Sequence, residues 1–357
     1  MPLPQPAKTM PIPAAPRPLP IGAVVIDSGW RQWVAENRLR NCTPESMLAT
    51  MVRAGLDPHA SASVISKMEN EPAFLAARRH QQLQRKLESV LGNLQRLWSS
   101  APDYAVVQKR AEPPLEEFVE RYVRGCRPLV ITDLARDWPA MQRWSAADLK
   151  CRFGHLDVEI QAERSADPKY EENKLAHRRV ARLSVFVDQV LAGGPTNDYY
   201  MTANNEALRR PEFSPLLADI GRLPRACDPA TLASSSSFWF GPAGTNTPLH
   251  HDTLMLFHTQ IVGRKRWRFI SPLQIAYLYN YNNVFSPIDL DRTDLHRYPD
   301  FAKAQVLEVV VEPGETVFLP LGWWHQVTSL DVSLSFSFSN LAVPNTFTYV
   351  NPEIHNW

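Results

Sequence analysis

Cysteine is scarce in this chain of 357 residues: there are four, at positions 42, 126, 151 and 227, and no two share a CxxC spacing. That excludes a zinc knuckle and a disulfide framework, and leaves reduced, buried thiols as the expectation. A surplus of either charge is missing too. Lys and Arg number 38 against 37 Asp and Glu, a formal charge of +1, so no global field draws the protein onto nucleic acid or an anionic membrane, and neither is expected as a partner. There is no run of about 18 apolar residues to span a bilayer. The N-terminus lacks a basic stretch followed by an apolar core, so a cytoplasmic location is expected. What the chain does have is 44% hydrophobic residues, enough for one large domain and a smaller one with a buried core.

Composition changes along the chain. Residues 1–20 hold eight prolines, which favours extended, unpacked chain, so residues 1–25 read as a tail. Residues 26–100 read as helical. Trp30, Trp33 and Val34 share a helix face; Thr43 with Pro44 starts a second helix that Gly55 stops, and Asp57 with Pro58 starts a third. From about Pro72 to Ser99, Leu83, Leu87, Val90, Leu91, Leu94, Leu97 and Trp98 recur on one face. That stripe is expected to pack on the preceding helices or, alternatively, on a second copy of the chain. Residues 101–112 read as a linker, and up to about residue 200 strands and helices mix. Beyond Ala233 short strands separated by Gly or Pro turns dominate, as in a closed or double-layered antiparallel β fold.

The stretch TNTPLHHDTLMLF, residues 245–257, sets two histidines and an aspartate side by side. On a strand, alternate side chains share a face, so His250 and Asp252 point one way and His251 the other. That geometry suits two ligands of one ion or, equally, polar residues ending a strand. A third ligand candidate is His325 in PGETVFLPLGWWHQVTS, placed by a turn at the start of another strand. Two histidines and one carboxylate leave open positions on an ion, the arrangement that suits non-haem Fe(II) oxygenases. The strand after Asp252 is expected to run to Gly263, reverse and return as a hairpin partner beginning at Lys265. An ammonium there can hold the remote carboxylate of a dicarboxylic acid, a buried, unpaired one being costly; the alternative is a lysine solvated like Arg264 and Arg266. His258, about 26 Å from His250 along an extended strand at roughly 3.3 Å per residue, is expected to stay clear of the site. His251 is expected to stay clear as well, and Trp323 and Trp324 to serve as wall and core.

GTNTPLHHD, QIVGRKRWRFISP, LPLGWWHQV and SLSFSFSN together resemble the JmjC or cupin-like Fe(II)/2-oxoglutarate oxygenases. The resemblance is to their small protein-hydroxylase branch, which contains the hypoxia-inducible-factor asparaginyl hydroxylase. It covers residues 113–345, with 346–357 left as a C-terminal tail. It implies a mostly β fold with an α-helical N-terminal region, built on a double-stranded β-helix (jelly-roll) core. It implies iron ligation by His250, Asp252 and His325, and binding of the 2-oxoglutarate remote carboxylate by Lys265 with help from Thr247. Tyr200, or failing it Tyr199, is implied beside the same carboxylate, and Asn340 near the cosubstrate. Asn340 also continues the strand face of Val332, Leu334, Phe336 and Phe338, where a buried amide needs a partner. Relatives often carry an asparagine five or six residues after the first ligand, where this chain has Met255 and Leu256.

The implied activity is hydroxylation of a protein or peptide side chain with Fe(II), 2-oxoglutarate and O2, releasing succinate and CO2. The long connection at 271–304 is expected to wall the barrel mouth beside the substrate. Competing readings are an N-methyl demethylase or small-molecule hydroxylase with the same iron site, a non-catalytic metal-binding cupin, and a cupin isomerase or dioxygenase without cosubstrate. Lys265 and Thr247 favour the cosubstrate enzyme, because a pure metal binder has no use for a diacid pocket. The family commonly dimerises through helices after the barrel. Only 17 residues follow Asn340, so a homodimer through residues 26–100 is expected instead.

Overall fold

The computed structural model describes residues 26–281 and 283–347. The proline-rich stretch 1–25 and most of the expected C-terminal tail lie outside the described residues. The chain forms two compact units, Met1–Leu91 and Gly92–Trp357, with the division falling inside a helix.

In the first unit α1 (Ser28–Leu39), α2 (Pro44–Arg53) and α3 (Pro58–Met68) follow one another, and α4 (Pro72–Ser99) begins there and runs on past Leu91. Asp27, Thr43 and Asp57 each accept a hydrogen bond from a backbone N–H of the first turn, satisfying groups a helix start otherwise leaves open. Trp30 and Trp33 meet edge to face at 5.4 Å and pack with Val34, Met51, Ile65 and Phe74 in a small core. The stripe on α4 does not pack on these helices as first expected. Leu83, Leu87 and Leu97 are 57%, 54% and 67% exposed, Val90 and Leu94 are exposed too, and only Phe74 of α4 is buried. Length accounts for this: α4 has 28 residues, about 42 Å at 1.5 Å per residue, whereas α1–α3 have 12, 10 and 11. The short helices close on each other and leave most of α4 uncovered.

The second unit holds twelve strands among the described residues: β1 (Gln108–Arg110), β2 (Leu129–Ile131), β3 (Asp157–Gln161), β4 (Arg178–Arg182), β5 (Ser236–Gly241), β6 (Asn246–His251), β7 (Leu256–Val262), β8 (Lys265–Ile270), β9 (Leu307–Val311), β10 (Thr316–Leu319), β11 (Trp324–Ser329) and β12 (Ser333–Phe338). A six-stranded sheet runs β1-β2-β10-β7-β12-β5, a four-stranded sheet runs β6-β11-β8-β9, and β3 pairs with β4. The two larger sheets form a jelly-roll core, as expected. β1 lies within the stretch read as a linker; three residues with Lys and Arg carry no alternation to reveal an edge strand.

The main correction concerns β7 and β8. They do not pair as a hairpin: β7 lies between β10 and β12, and β8 between β11 and β9. The chain folds over at Gly263, where φ is +71° and a Cβ would sit 2.2 Å from the Val332 carbonyl oxygen. Only glycine fits such a position. The step from one sheet to the other lets residues of β7 face residues of β8 across the interior. β6 and β7 are likewise separate strands in different sheets, interrupted at 252–255.

The apolar face of β12, Leu334, Phe336 and Phe338, enters a large aromatic core with Trp138, Trp144 and Phe257. Each such side chain contributes about 1.5–3 kcal/mol by leaving water. The opposite face presents Ser333, Ser335 and Ser337, all buried. Among the cysteines, Cys227 is buried and Cys151 is exposed, so the expectation of buried thiols fails for Cys151. No described helix is long and apolar enough to cross a membrane.

Candidate active site

β6 and β11 are antiparallel with His250 opposite His325. Their rings lie 4.1 Å apart, and Asp252, just past the end of β6, brings Oδ2 to 3.7 Å from His325 Nε2. One ligand atom from each of the three side chains lies within 4.8 Å of the others. Both rings are oriented by the same device. His250 Nδ1 lies 2.8 Å from the Pro248 carbonyl oxygen and His325 Nδ1 3.0 Å from that of Trp323. A carbonyl only accepts, so each Nδ1 carries the proton and each Nε2 is left as a lone-pair ligand. Burial and the neighbouring His250 hold the His325 imidazole well below its ordinary range, which keeps it in the ligating, neutral form. Withdrawal from water pushes the Asp252 carboxyl up, opposed by His250. This donor set, two imidazoles and a carboxylate on one side, fits an Fe(II) ion with positions left open.

These three side chains open on a cavity of about 220 Å³, which Tyr200, Trp239, Thr247, His258, Lys265, Trp267 and Ser337 also line. Thr247 and His250, three residues apart, would face opposite sides of a regular strand. The register steps from His325↔His250 to Val327↔Thr247, so two residues of β11 match three of β6. The bulge turns the Thr247 side chain onto the ligand face.

Lys265 begins β8 and is 1% exposed. Its Nζ lies 2.7 Å from Ser335 Oγ, 3.1 Å from the Tyr200 hydroxyl and 3.5 Å from His258 Nε2. Among the described residues it makes no ion pair with a carboxylate, and burial lowers its pKa to about 7. A buried amine facing a cavity without a counter-ion is a seat for an incoming carboxylate. Of the two adjacent tyrosines, Tyr200 reaches this amine. Tyr199 turns into the core and donates to the Gln189 carbonyl oxygen.

Two expectations need correction. Asn340 does not line the cavity: its Nδ2 donates to the Asp228 carbonyl oxygen at 2.7 Å. By parity it follows Leu334, Phe336 and Phe338, whose face enters the aromatic core, opposite Ser335, which bonds to Lys265. His258, expected far from the site, lines it. The chain does not run extended from His250 to His258, because β6 and β7 are separate strands in different sheets. His258 remains outside the His250/Asp252/His325 group that could hold a metal. His251 turns away as expected and packs against Trp324 at 4.7 Å.

Trp323 and Trp324 are both buried core; the Trp323 indole donates to the Cys126 carbonyl oxygen. Trp267 stacks on His325 at 5.6 Å and 17°. Where the relatives' asparagine would stand, Met255 is buried and Leu256 lines the cavity. The connection at 271–304 packs Leu278, Ile288 and Phe301 against Leu249 and Trp324. It brings Phe285 to 5.7 Å from the His250 ring, so it stands beside the ligand group.

Three side chains escaped the sequence reading: Ser335, Trp239 and Trp267. The signal for Ser335 was available, since Ser alternates with apolar residues throughout SLSFSFS and an apolar face implies an opposite one.

The family profile described as a cupin-like domain matches residues 114–343. Among curated proteins, lysine-specific demethylase 8 of Xenopus tropicalis is 28% identical over 233 residues, 63% of this chain and 51% of that protein. Lysine-specific demethylase JMJ30 of Arabidopsis thaliana is 31% identical over 246 residues, 65% of this chain and 54% of that protein. Human HSPB1-associated protein 1 is 29% identical over 227 residues, 57% and 46% of the two chains. The match thus spans about half the length of these relatives.

Proposed function

The chain belongs to the cupin-like family, within the JmjC/cupin superfamily whose cofactors are Fe(II) and 2-oxoglutarate with O2, and from that premise we propose that it hydroxylates a side chain of a protein or peptide. The observation that carries this reading is one cavity holding both the His250/Asp252/His325 group and the uncompensated amine of Lys265. Bound iron with 2-oxoglutarate and O2 supplies oxidation of a C–H bond, with succinate and CO2 released. The protein's own side chains do the rest. His250 and His325 present Nε2 and Asp252 a carboxylate oxygen to the metal. Lys265, Tyr200 and Thr247 anchor the remote carboxylate of the cosubstrate and so fix its orientation. Leu254, Leu256, Val327 and Phe338 line the same cavity with apolar surface and limit the water that reaches it.

Anaerobic reconstitution with Fe(II) and 2-oxoglutarate, then O2, with succinate measured, tests the proposal. Wild type forms succinate, and His250→Ala and Lys265→Ala do not. Equal succinate from wild type and His250→Ala removes the assignment.

A second reading is favoured by the names of two relatives, lysine-specific demethylases. The same site oxidising an N-methyl carbon would give a hemiaminal that collapses to amine and formaldehyde. Mass spectrometry separates the outcomes: hydroxylation adds one oxygen to a substrate peptide, whereas demethylation removes a methyl group and releases formaldehyde.

We also propose that the chain self-associates through α4. The support is the row of exposed Leu and Val side chains on one face of that helix, since contiguous apolar surface of this kind marks an interaction site.

A further inference from the structure

His258 and Lys265 are seven residues apart, yet the fold-over at Gly263 sets them face to face, Nε2 to Nζ at 3.5 Å. Both are buried and both line the cavity. The imidazole is held between two indoles, with Trp239 at 5.8 Å and Trp267 at 5.1 Å, so its direction is set by packing. Its Nε2 looks at a group that, when charged, can only donate. The pair is compatible while the imidazole offers a lone pair. It becomes a clash of two donors once Nε2 carries a proton. The other neighbours of Nζ are the hydroxyls of Tyr200 and Ser335, and neither supplies a negative charge. One carboxylate oxygen seated between the two nitrogens would accept from both and remove the conflict.

We propose that His258 is a second nitrogen donor to the remote carboxylate of the cosubstrate, acting with Lys265 as a binding and specificity residue for the diacid. This rests on the oxygenase reading above. His258 plays no part in holding the metal, because it stands outside the group of ligand atoms.

The test is calorimetric titration of the full chain, loaded with Mn(II) in place of Fe(II), with 2-oxoglutarate. A hydrogen bond to a charged carboxylate predicts that His258→Phe, which keeps an aromatic ring between the indoles, weakens 2-oxoglutarate binding by roughly tenfold or more while Mn(II) affinity is unchanged. His258→Gln retains an N–H donor and is expected to recover most of the loss. It also keeps the test open if the Phe variant fails to fold. Wild-type affinity in the Phe variant, or a Gln variant that binds at least tenfold more weakly than wild type, overturns the assignment of His258 alone. Failure of the Mn(II)-loaded wild type to bind 2-oxoglutarate removes the oxygenase reading and this inference together.

Discussion

Lys265 Nζ and Ser335 Oγ, 2.7 Å apart, join the two sheets of the jelly roll at the inner end of the cavity. The lysine comes from the four-stranded sheet and the serine from the six-stranded one. Neither neighbours the other in its own sheet, so the contact exists only when the sheets close on each other. The amine is therefore positioned by the fold as a whole, and its charge is left to the ligand.

A pH dependence follows. Burial lowers the Lys265 amine to about 7, and a bound carboxylate raises it again by favouring the ammonium. Above about pH 7 the free protein carries fewer protons there than the complex, so binding takes up a proton and affinity falls as pH rises, by at most about tenfold per pH unit. Below that pH the amine is already charged and this dependence vanishes. Calorimetry of 2-oxoglutarate binding to the Mn(II) form in buffers of different ionisation enthalpy checks it: proton uptake is expected at about pH 8, and little at about pH 6 from this group. Lys265→Met is expected to bind weakly without that uptake. A constant affinity in wild type from about pH 6 to pH 9 would contradict the role given to this amine.

The proposed metal ligands separate from the neighbouring histidine. His250→Ala and His325→Ala are expected to weaken Mn(II) binding by more than about 100-fold, since even the partners behind metal ligands are worth 10–100-fold. His251→Ala is expected to leave it unchanged and to lower stability by loss of its packing on Trp324. Electron paramagnetic resonance of free Mn(II) during titration reads both outcomes.

Asn340 offers the opposite case, a residue implied by resemblance to touch the cosubstrate but tied by the structure to the Asp228 carbonyl oxygen. Asn340→Ala removes this hydrogen bond and leaves Thr231 as the remaining donor to the Asp228 carbonyl, so it is expected to cost about 0.5–1.5 kcal/mol of stability. Affinity for 2-oxoglutarate should stay at the wild-type value. Thermal denaturation and calorimetry on one sample distinguish the two effects; weaker cosubstrate binding at unchanged stability would restore the residue to the site.

What the sequence made legible was local. Caps at Asp27, Thr43 and Asp57, the parity of His250 and Asp252, and the outward turn of His251 depend on one or two turns of chain, and periodicity reports them directly. What it hid was set by sheet pairing. Nothing in IVGRKRW says that the turn at Gly263 changes sheets and does not close a hairpin, so His258 was read along a strand it does not share with His250. The bulge that lets Thr247 and His250 share a face is equally invisible, because it exists only in the register with β11. Asn340 was misread for a related reason: strand parity tells which residues share a face, but not which face meets the cavity.

The exposed face of α4 carries the last prediction. Leu83, Leu87, Val90, Leu94 and Leu97 are between 42% and 67% exposed, along a helix too long for α1–α3 to cover. Spaced at intervals of three and four residues, they make a narrow apolar seam of the kind that pairs with a like seam, and charged residues such as Arg85 and Glu88 lie between them. The chain is therefore expected to run as a dimer in light scattering. Leu87→Glu with Leu94→Glu places like charges in the seam and is expected to give a monomer without unfolding the protein, because both positions are already half in water. Succinate formation should survive in that variant, since neither leucine lines the cavity that holds the His250/Asp252/His325 group and Lys265. A wild-type mass equal to that of one chain at high concentration would rule out self-association through this face. A dimer that withstands both substitutions would place the contact elsewhere on the molecule.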